Sequence, residues 1–245
     1  MRKLTITIAV LTLLFTACSK KDNAPSLSLS AERNDIKYDE AAQISTSTGS
    51  SGEYEWSSSD EFVGTVSQGG LFTADHIGNT TITAKKGNLT ATYKLTVSPR
   101  ETFFMEPFVE IGAFKSTTKA KEKRTLYSET ESVLYYKDPS PSIRNGIIYV
   151  FDAGKMTGAI VMFTATSANA TKVGTYYAER YLYMGSSSDI IFLSDNKKRY
   201  NIGIDPNDET LGFCSIYFEN TSSFAAKANI LQRAKELINI KNEKQ

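Results

Sequence analysis

Between Lys123 and Tyr217 the chain repeats itself, and this limits the folds open to it more than any other feature. Lys123-Arg124-Thr125-Leu126-Tyr127 lines up with Glu179-Arg180-Tyr181-Leu182-Tyr183, and Val133-Leu134-Tyr135-Tyr136 with Ile190-Ile191-Phe192-Leu193. Ile147 to Asp152 falls on Tyr200 to Asp205, Thr157-Gly158-Ala159 on Leu211-Gly212-Phe213, and Phe163 on Tyr217. The interval stays at roughly 55 residues, as a duplicated supersecondary unit requires. Each copy reads as a helix followed by three strands. The first helix lies within Ser116 to Tyr127, with strands near 131–137, 146–152 and 157–165. The second lies within Ala168 to Tyr181, with strands near 189–194, 199–205 and 210–219.

Ser167 is placed to cap the second helix, and Val173, Tyr176, Tyr177 and Tyr181 give it one apolar face. Gly174 in that helix costs ~1 kcal/mol against alanine. A last helix is predicted from Phe224 to Ile240, where Phe224, Ala228, Leu231, Ala234, Leu237 and Ile238 recur at helical spacing behind Ser222 and Ser223. A lone unit of this size buries little apolar surface, so one antiparallel sheet built from both copies, with helices on one face, is preferred over two packed three-stranded layers.

Upstream, residues 26–98 follow a different rule. Short alternating strands are separated by Gly, Ser, Asn and Asp clusters. Tyr54 and Trp56 point one way while Glu53, Glu55 and Ser57 point the other, which describes a half-buried strand with Trp56 between two sheets. Seven such strands predict a sandwich of Ig-like topology. The ordered series Tyr54-Glu55-Trp56-Ser57-Ser58-Ser59-Asp60, Gly64-Thr65-Val66, Gly70-Leu71-Phe72-Thr73-Ala74 and Gly78-Asn79-Thr80-Thr81-Ile82-Thr83-Ala84 resembles the bacterial Ig-like domain of group 2. The resemblance implies an extracytoplasmic setting, adhesins included, and a spacer, stalk or binding module without catalytic residues. Residues 103–245 in turn look like uncharacterised C-terminal regions of Bacteroides-type lipoproteins, which implies a setting and no activity.

The N-terminus specifies where such a protein would live. Met1-Arg2-Lys3 is basic, and Leu4 to Phe15 is an apolar run of roughly a dozen residues, against the ~20 that span a bilayer as a helix. A basic start, a short apolar run and small residues after it mark an export signal. Thr16-Ala17-Cys18 resembles the lipobox of bacterial lipoproteins, whose thiol receives diacylglycerol, although Phe15 stands where that motif usually has Leu, Val or Ile. Cys18 is therefore the expected lipid-attachment residue. Two or more acyl chains anchor a protein stably where one does not. Ser19-Lys20-Lys21-Asp22-Asn23 partly resembles the charged signal that carries Bacteroidetes-type lipoproteins to the cell surface, with fewer acidic residues than usual. Surface exposure is expected, with the periplasmic face as the alternative.

The remaining residue types narrow the chemistry. With Cys18 acylated, Cys214 has no intrachain disulfide partner, and its alternation with Ile216 and Phe218 reads as a buried strand position. His76 is the only histidine, which excludes a multi-histidine metal site, and it reads as a loop residue. A net charge of +1 offers nothing to nucleic acid. Lys115, Lys119, Lys121, Lys123 and Arg124 are diluted by Glu122, Glu129 and Glu131 and read as a solvated face. Asp205-Pro206-Asn207-Asp208-Glu209 spaces its oxygens like a calcium loop but lacks the glycine and the closing acid of one, so a hairpin turn is expected and no metal.

The reading is thus a multidomain chain. Residues 1–17 are a signal peptide, 18–25 a lipidated tether, 26–98 an all-β Ig-like sandwich, and 103–245 an α+β domain of two helix-plus-three-strand repeats with a C-terminal helix. The expected role is that of a lipid-anchored outer-membrane protein at the cell surface, without cofactor. It would bind or adhere without catalysis, the Ig-like module acting as a stalk and the ligand being a glycan or a protein. An enzyme acting on envelope or dietary polysaccharide, and a purely structural envelope component, are the alternatives. The sequence leaves the ligand-binding residues and the oligomeric state open.

Overall fold

The computed structural model describes residues 26–33, 35–209 and 211–220. The expected signal peptide, the tether with Cys18, and the helix expected over Phe224 to Ile240 lie outside them.

The first unit contains β1 (Leu29–Ala31), β2 (Ile36–Lys37), β3 (Ala41–Thr46), β4 (Glu55–Ser58), β5 (Gly64–Val66), β6 (Leu71–Ala74), β7 (Gly78–Lys86) and β8 (Leu89–Ser98). They form two four-stranded sheets, ordered β1-β3-β6-β5 and β2-β8-β7-β4. Alternation decides what lies between them: Ala42 and Ile44 of β3, Phe72 and Ala74 of β6, Ile82 of β7, and Leu95 and Val97 of β8 are buried in one cluster. Trp56 sits at the margin of that core, half-buried, with its indole N–H donating to the Ser51 carbonyl at 2.9 Å. The polar tip satisfied at an apolar edge is the usual solution for a buried tryptophan.

The second unit contains α1 (Lys115–Lys121), β9 (Thr125–Glu129), β10 (Val133–Lys137), β11 (Ile143–Asp152), β12 (Lys155–Phe163), α2 (Ser167–Ala178), β13 (Leu182–Ser187), β14 (Ile190–Ser194), β15 (Tyr200–Asp208) and β16 (Gly212–Glu219). Its strands make one antiparallel sheet of eight, ordered β13-β14-β15-β16-β12-β11-β10-β9. The last strands of the two halves meet in the middle, with Ile160 opposite Ile216, Val161 opposite Ser215 and Met162 opposite Cys214.

This corrects the expected fold class. The chain is mostly β; the described residues hold only two α-helices, and the α+β domain of helix-plus-three-strand repeats is not what forms. Each helix leads instead into a meander of four strands. The extra strands, β9 and β13, begin at Thr125 and Leu182, where the sequence pattern predicts the end of the first helix and a connection after the second. The helical reading of residues 122–127 fails because Glu122 is extended (φ −71°, ψ 131°). Its carboxylate then accepts the Lys123 and Arg124 amides at 2.8 and 2.9 Å and the Arg124 guanidinium at 3.0 Å. Beyond Arg124, β-branched and aromatic residues favour an extended chain. The second helix is capped by Thr166, whose hydroxyl accepts the Asn169 amide at 3.1 Å, so Ser167 is its first residue rather than its cap.

Both faces of the central strands are buried, which explains their nearly continuous apolar runs. Ile147, Tyr149 and Phe151 join Ala159, Val161 and Phe163 on the face that also holds Val173, Tyr176, Tyr177 and Tyr181. At ~1.5–3 kcal/mol for each large side chain removed from water, this stripe holds α2 to the sheet. Ile148, Val150, Ile160, Met162, Cys214 and Ile216 form a cluster on the other face, and Cys214 is fully buried in it. Near the start of β11 the strand kinks at Gly146 (φ +104°), where a Cβ would run into the Tyr136 carbonyl oxygen. Only glycine fits that approach.

A candidate ligand cleft between the two β units

The two units are joined by a built junction. Glu179, at the end of α2, is completely buried. Its carboxylate accepts the Arg100 amide at 2.7 Å and the Glu101 amide at 3.2 Å, and pairs with the Arg180 guanidinium. Its own carbonyl accepts the Ile77 amide of the first unit at 2.8 Å. Arg100 reaches back, donating to the Tyr38 carbonyl at 2.8 Å and pairing with Glu40 at 3.3 Å. Arg180 closes the set by donating to the Glu101 carbonyl at 3.0 Å and stacking 3.7 Å from the centre of the Tyr176 ring. Backbone and charge are both satisfied here, so the connection between the units is held rather than loose.

Beside this junction lies a cleft of about 570 Å³, a size typical of ligand sites. The first unit supplies Tyr38, Glu61, Phe62, Asp75 and His76 to its wall. The second supplies Tyr181, Leu182, Tyr183, Ile191 and Leu193, with Gly174 leaving room where a side chain would stand. His76 stacks on Phe62 with centroids 3.9 Å apart and planes 12° from parallel. Its Nδ1 lies 2.7 Å from the Phe62 carbonyl oxygen, which assigns a proton to that nitrogen and turns the ring flat against the wall. Tyr183 is two-thirds exposed at the mouth. Glu61 and Asp75 are exposed on the rim, and no lysine or arginine lines the cleft among the described residues. Such walls suit a ligand with an apolar body and a hydrogen-bond donor or positive charge.

Behind the cleft wall, tyrosine hydroxyls converge on one acid. Tyr181 donates to the Glu106 carboxylate, and Tyr217 donates to the same oxygen at 2.9 Å. Tyr177 lies 2.7 Å from the Tyr217 hydroxyl and 2.6 Å from that of Ser215. Burial pushes the Glu106 carboxyl above its ordinary range, although the tyrosine hydroxyls and the Arg180 charge pull the other way. Burial, reinforced by Glu106, likewise raises Tyr177, Tyr181 and Tyr217, so these phenols stay protonated and act as donors.

The other inward-facing acids also have their oxygens occupied. Glu122 and Asp138 both hold Arg124, at 3.0 and 2.5 Å, and Tyr149 donates to Glu122. Asp195 pairs with Arg199 at 2.7 Å and accepts the Tyr200 amide at 3.3 Å. These carboxylates hold loops and strands together. Among the described residues no group of three or more His, Cys, Asp and Glu side chains could hold a metal ion.

The residues singled out in the sequence fall as follows. Cys18 lies outside the described residues. His76, read as a loop residue, stands in the cleft wall. Of the basic residues read as a solvated face, Lys115 and Lys119 both pair with Glu129, at 2.8 and 2.7 Å, while the Arg124 side chain is instead buried between Glu122 and Asp138. In the Asp205 stretch, the Asp205 carboxylate accepts the Asn207 amide at 3.1 Å and Asp208 accepts the Leu211 amide at 2.8 Å, as a hairpin turn requires. Glu179 and Glu106 were not legible as functional, because a glutamate ending a helix or standing in a loop looks like any solvated one. Tyr183 had a signal: its counterpart in the other half, Tyr127, is surrounded by charge, whereas Leu182 to Ser187 contains none.

Residues 34–97 match the bacterial Ig-like domain of group 2. That match covers the first unit apart from β1 and supports a cell-envelope setting. Comparison with curated protein sequences gave no match. Among solved structures, the chain is similar to a C-terminal 282-residue fragment of intimin in complex with the intimin-binding domain of the translocated intimin receptor. Identity is 14%, the TM-score 0.27, and the similarity covers 78% of this chain and 66% of that one. It is also similar to domains 1–6 of the surface layer protein SbsC, at 10% identity and a TM-score of 0.28, over 80% of this chain and 36% of the other. Similarity at that level bears on neither ligand nor activity.

Proposed function

We propose that this chain is a lipid-anchored protein of the cell envelope that binds a ligand, without catalysis, in the cleft between its Ig-like unit and its eight-stranded sheet. Cys18 is the anchoring residue in this reading, and the protein faces the exterior from the outer membrane. The Ig-like unit carries the sheet away from the membrane and supplies one wall of the site. The observation that carries the reading is the cleft itself, aromatic and aliphatic, rimmed by carboxylates and set at a junction that Glu179 holds in one geometry. The buried acids support a non-catalytic role, since their oxygens are engaged with arginines, tyrosines and backbone amides.

The test is to purify the full chain in detergent and titrate it against a panel of glycans and of envelope or host proteins. At least one is expected to bind saturably and to lose at least tenfold in affinity with Tyr183→Ala, which changes an exposed residue and leaves the core intact. Absence of any saturable binding, or binding indifferent to Tyr183, refutes the cleft. For the anchor, Cys18→Ala is expected to move the protein from the membrane fraction to the soluble one, and continued retention refutes the lipid attachment.

A further inference from the structure

The sheet has two edges, β9 and β13, which occupy equivalent positions in its two halves, and they are treated differently. Open edges invite pairing with another strand, and proteins commonly blunt them with charge, proline or bulges. Both edges carry a register irregularity, between Tyr135 and Tyr136 on the side of β9 and between Tyr183 and Gly185 on β13. Charge separates them. On β9, the Lys137 ammonium stands 4.0 Å over the Tyr127 ring, and Lys115 and Lys119 converge on Glu129. On β13, Leu182 to Ser187 holds no charged residue and no proline. Tyr183 and Met184 are 66% and 62% exposed. Among the described residues β13 pairs only with β14, so its outer backbone groups face away from the sheet.

The unguarded edge is also the one beside the cleft, since Leu182 and Tyr183 line it. Across the cleft, Glu61 and Asp75 supply negative charge, with no lysine or arginine in the lining among the described residues. We propose that the outer edge of β13 takes up an extended peptide segment of a partner protein as a ninth strand, with a lysine or arginine of that segment directed to Glu61 and Asp75. Main-chain hydrogen bonds to a sheet edge supply affinity in such a mode, and alternate side chains supply selectivity. The Ig-like unit on the far side bounds the space, so the slot suits a single strand better than the sheet of a second copy. This proposal rests on the cleft being the binding site and names the ligand that it takes.

The probe is a fluorescein-labelled octapeptide alternating valine and threonine, with two lysines, titrated against the full chain in detergent by fluorescence anisotropy. Saturable binding is expected. It should weaken at least tenfold when the lysines become glutamates, when alternate peptide amides are N-methylated, and in Met184→Lys and Asp75→Asn. Both altered residues are exposed, so unchanged circular dichroism is expected of the variants. No peptide binding, or binding indifferent to N-methylation, overturns strand addition. So does concentration-dependent dimerisation abolished by Met184→Lys, which assigns the edge to a second copy. If a member of the glycan and protein panel binds in a Tyr183-dependent way while the peptide does not, strand addition falls and the cleft stands. If nothing that binds responds to Tyr183→Ala, both fall.

Discussion

Replacing Glu179 by alanine tests whether the two units act as one body. The change strips the Arg100 and Glu101 amides of their acceptor in a site where Glu179 is completely buried. An unsatisfied buried donor costs about 1–3 kcal/mol, so two cost about 2–6 kcal/mol, less whatever water recovers. Arg180 is not orphaned, because it keeps the Tyr176 and Glu101 carbonyls at 2.9 and 3.0 Å. A loss of about 3–4 kcal/mol follows, a large share of the 5–15 kcal/mol that holds a typical domain folded. Urea denaturation reads it with two probes: fluorescence of Trp56, the only tryptophan, reports the Ig-like unit, and far-ultraviolet circular dichroism reports both. The native chain is expected to unfold with coincident transitions. In Glu179→Ala the curves should separate and move to lower urea. Glu179→Gln, which keeps one acceptor oxygen, should fall between them. Coincident transitions in the alanine variant, with less than about 1 kcal/mol lost, would refute the idea that this carboxylate couples the units.

Three further outcomes are expected. Glu106 holds its proton to higher pH in the folded chain than in the unfolded one, so stability should fall as pH rises from the ordinary glutamate value of 4.5 through the raised one; Glu106→Gln should abolish that slope, and parallel melting-temperature profiles would contradict it. Tyr177→Phe should cost about 1–3 kcal/mol in urea titrations, because the buried Ser215 hydroxyl loses its 2.6 Å partner and Tyr217 loses a neighbour at 2.7 Å. Gly146→Ala should cost about 2–4 kcal/mol by the same measurement, since it forces a side chain to φ +104° and against the Tyr136 carbonyl; a neutral effect would mean that β11 can straighten there.

How far the sequence could be read depended on whether the signal was local. Alternation of Cys214 with Ile216 and Phe218 is a property of neighbouring residues, and it placed those side chains together on the buried face they occupy. The same holds for Val173, Tyr176, Tyr177 and Tyr181, whose helical spacing matches their burial. The count of three strands per copy failed at element ends, because each helix is followed by four. Glu122 stops α1 through bonds to Arg124 and Tyr149, and Tyr149 is distant in the chain. The cleft was illegible for a related reason, because its walls come from Phe62 and His76 on one side and Leu182 and Tyr183 on the other. Only the absence of charge from β13, set against its counterpart β9, was open to inspection in the sequence.

The seam between β12 and β16 has a consequence for how the sheet is put together. If Thr157 corresponds to Leu211 and Phe163 to Tyr217, then Val161 corresponds to Ser215, and these two residues face each other. Ile160 opposite Ile216 and Met162 opposite Cys214 follow by exchange of the two halves. A local two-fold axis therefore passes between Val161 and Ser215, the relation found in an isologous dimer. The sheet has the form of such a dimer with its two subunits fused, so that their association no longer depends on concentration. With the axis at the centre, the two edges lie as far from the symmetric seam as the sheet allows. One half can change its outer strand while the other keeps its own, and neither change disturbs the pairing that holds them together.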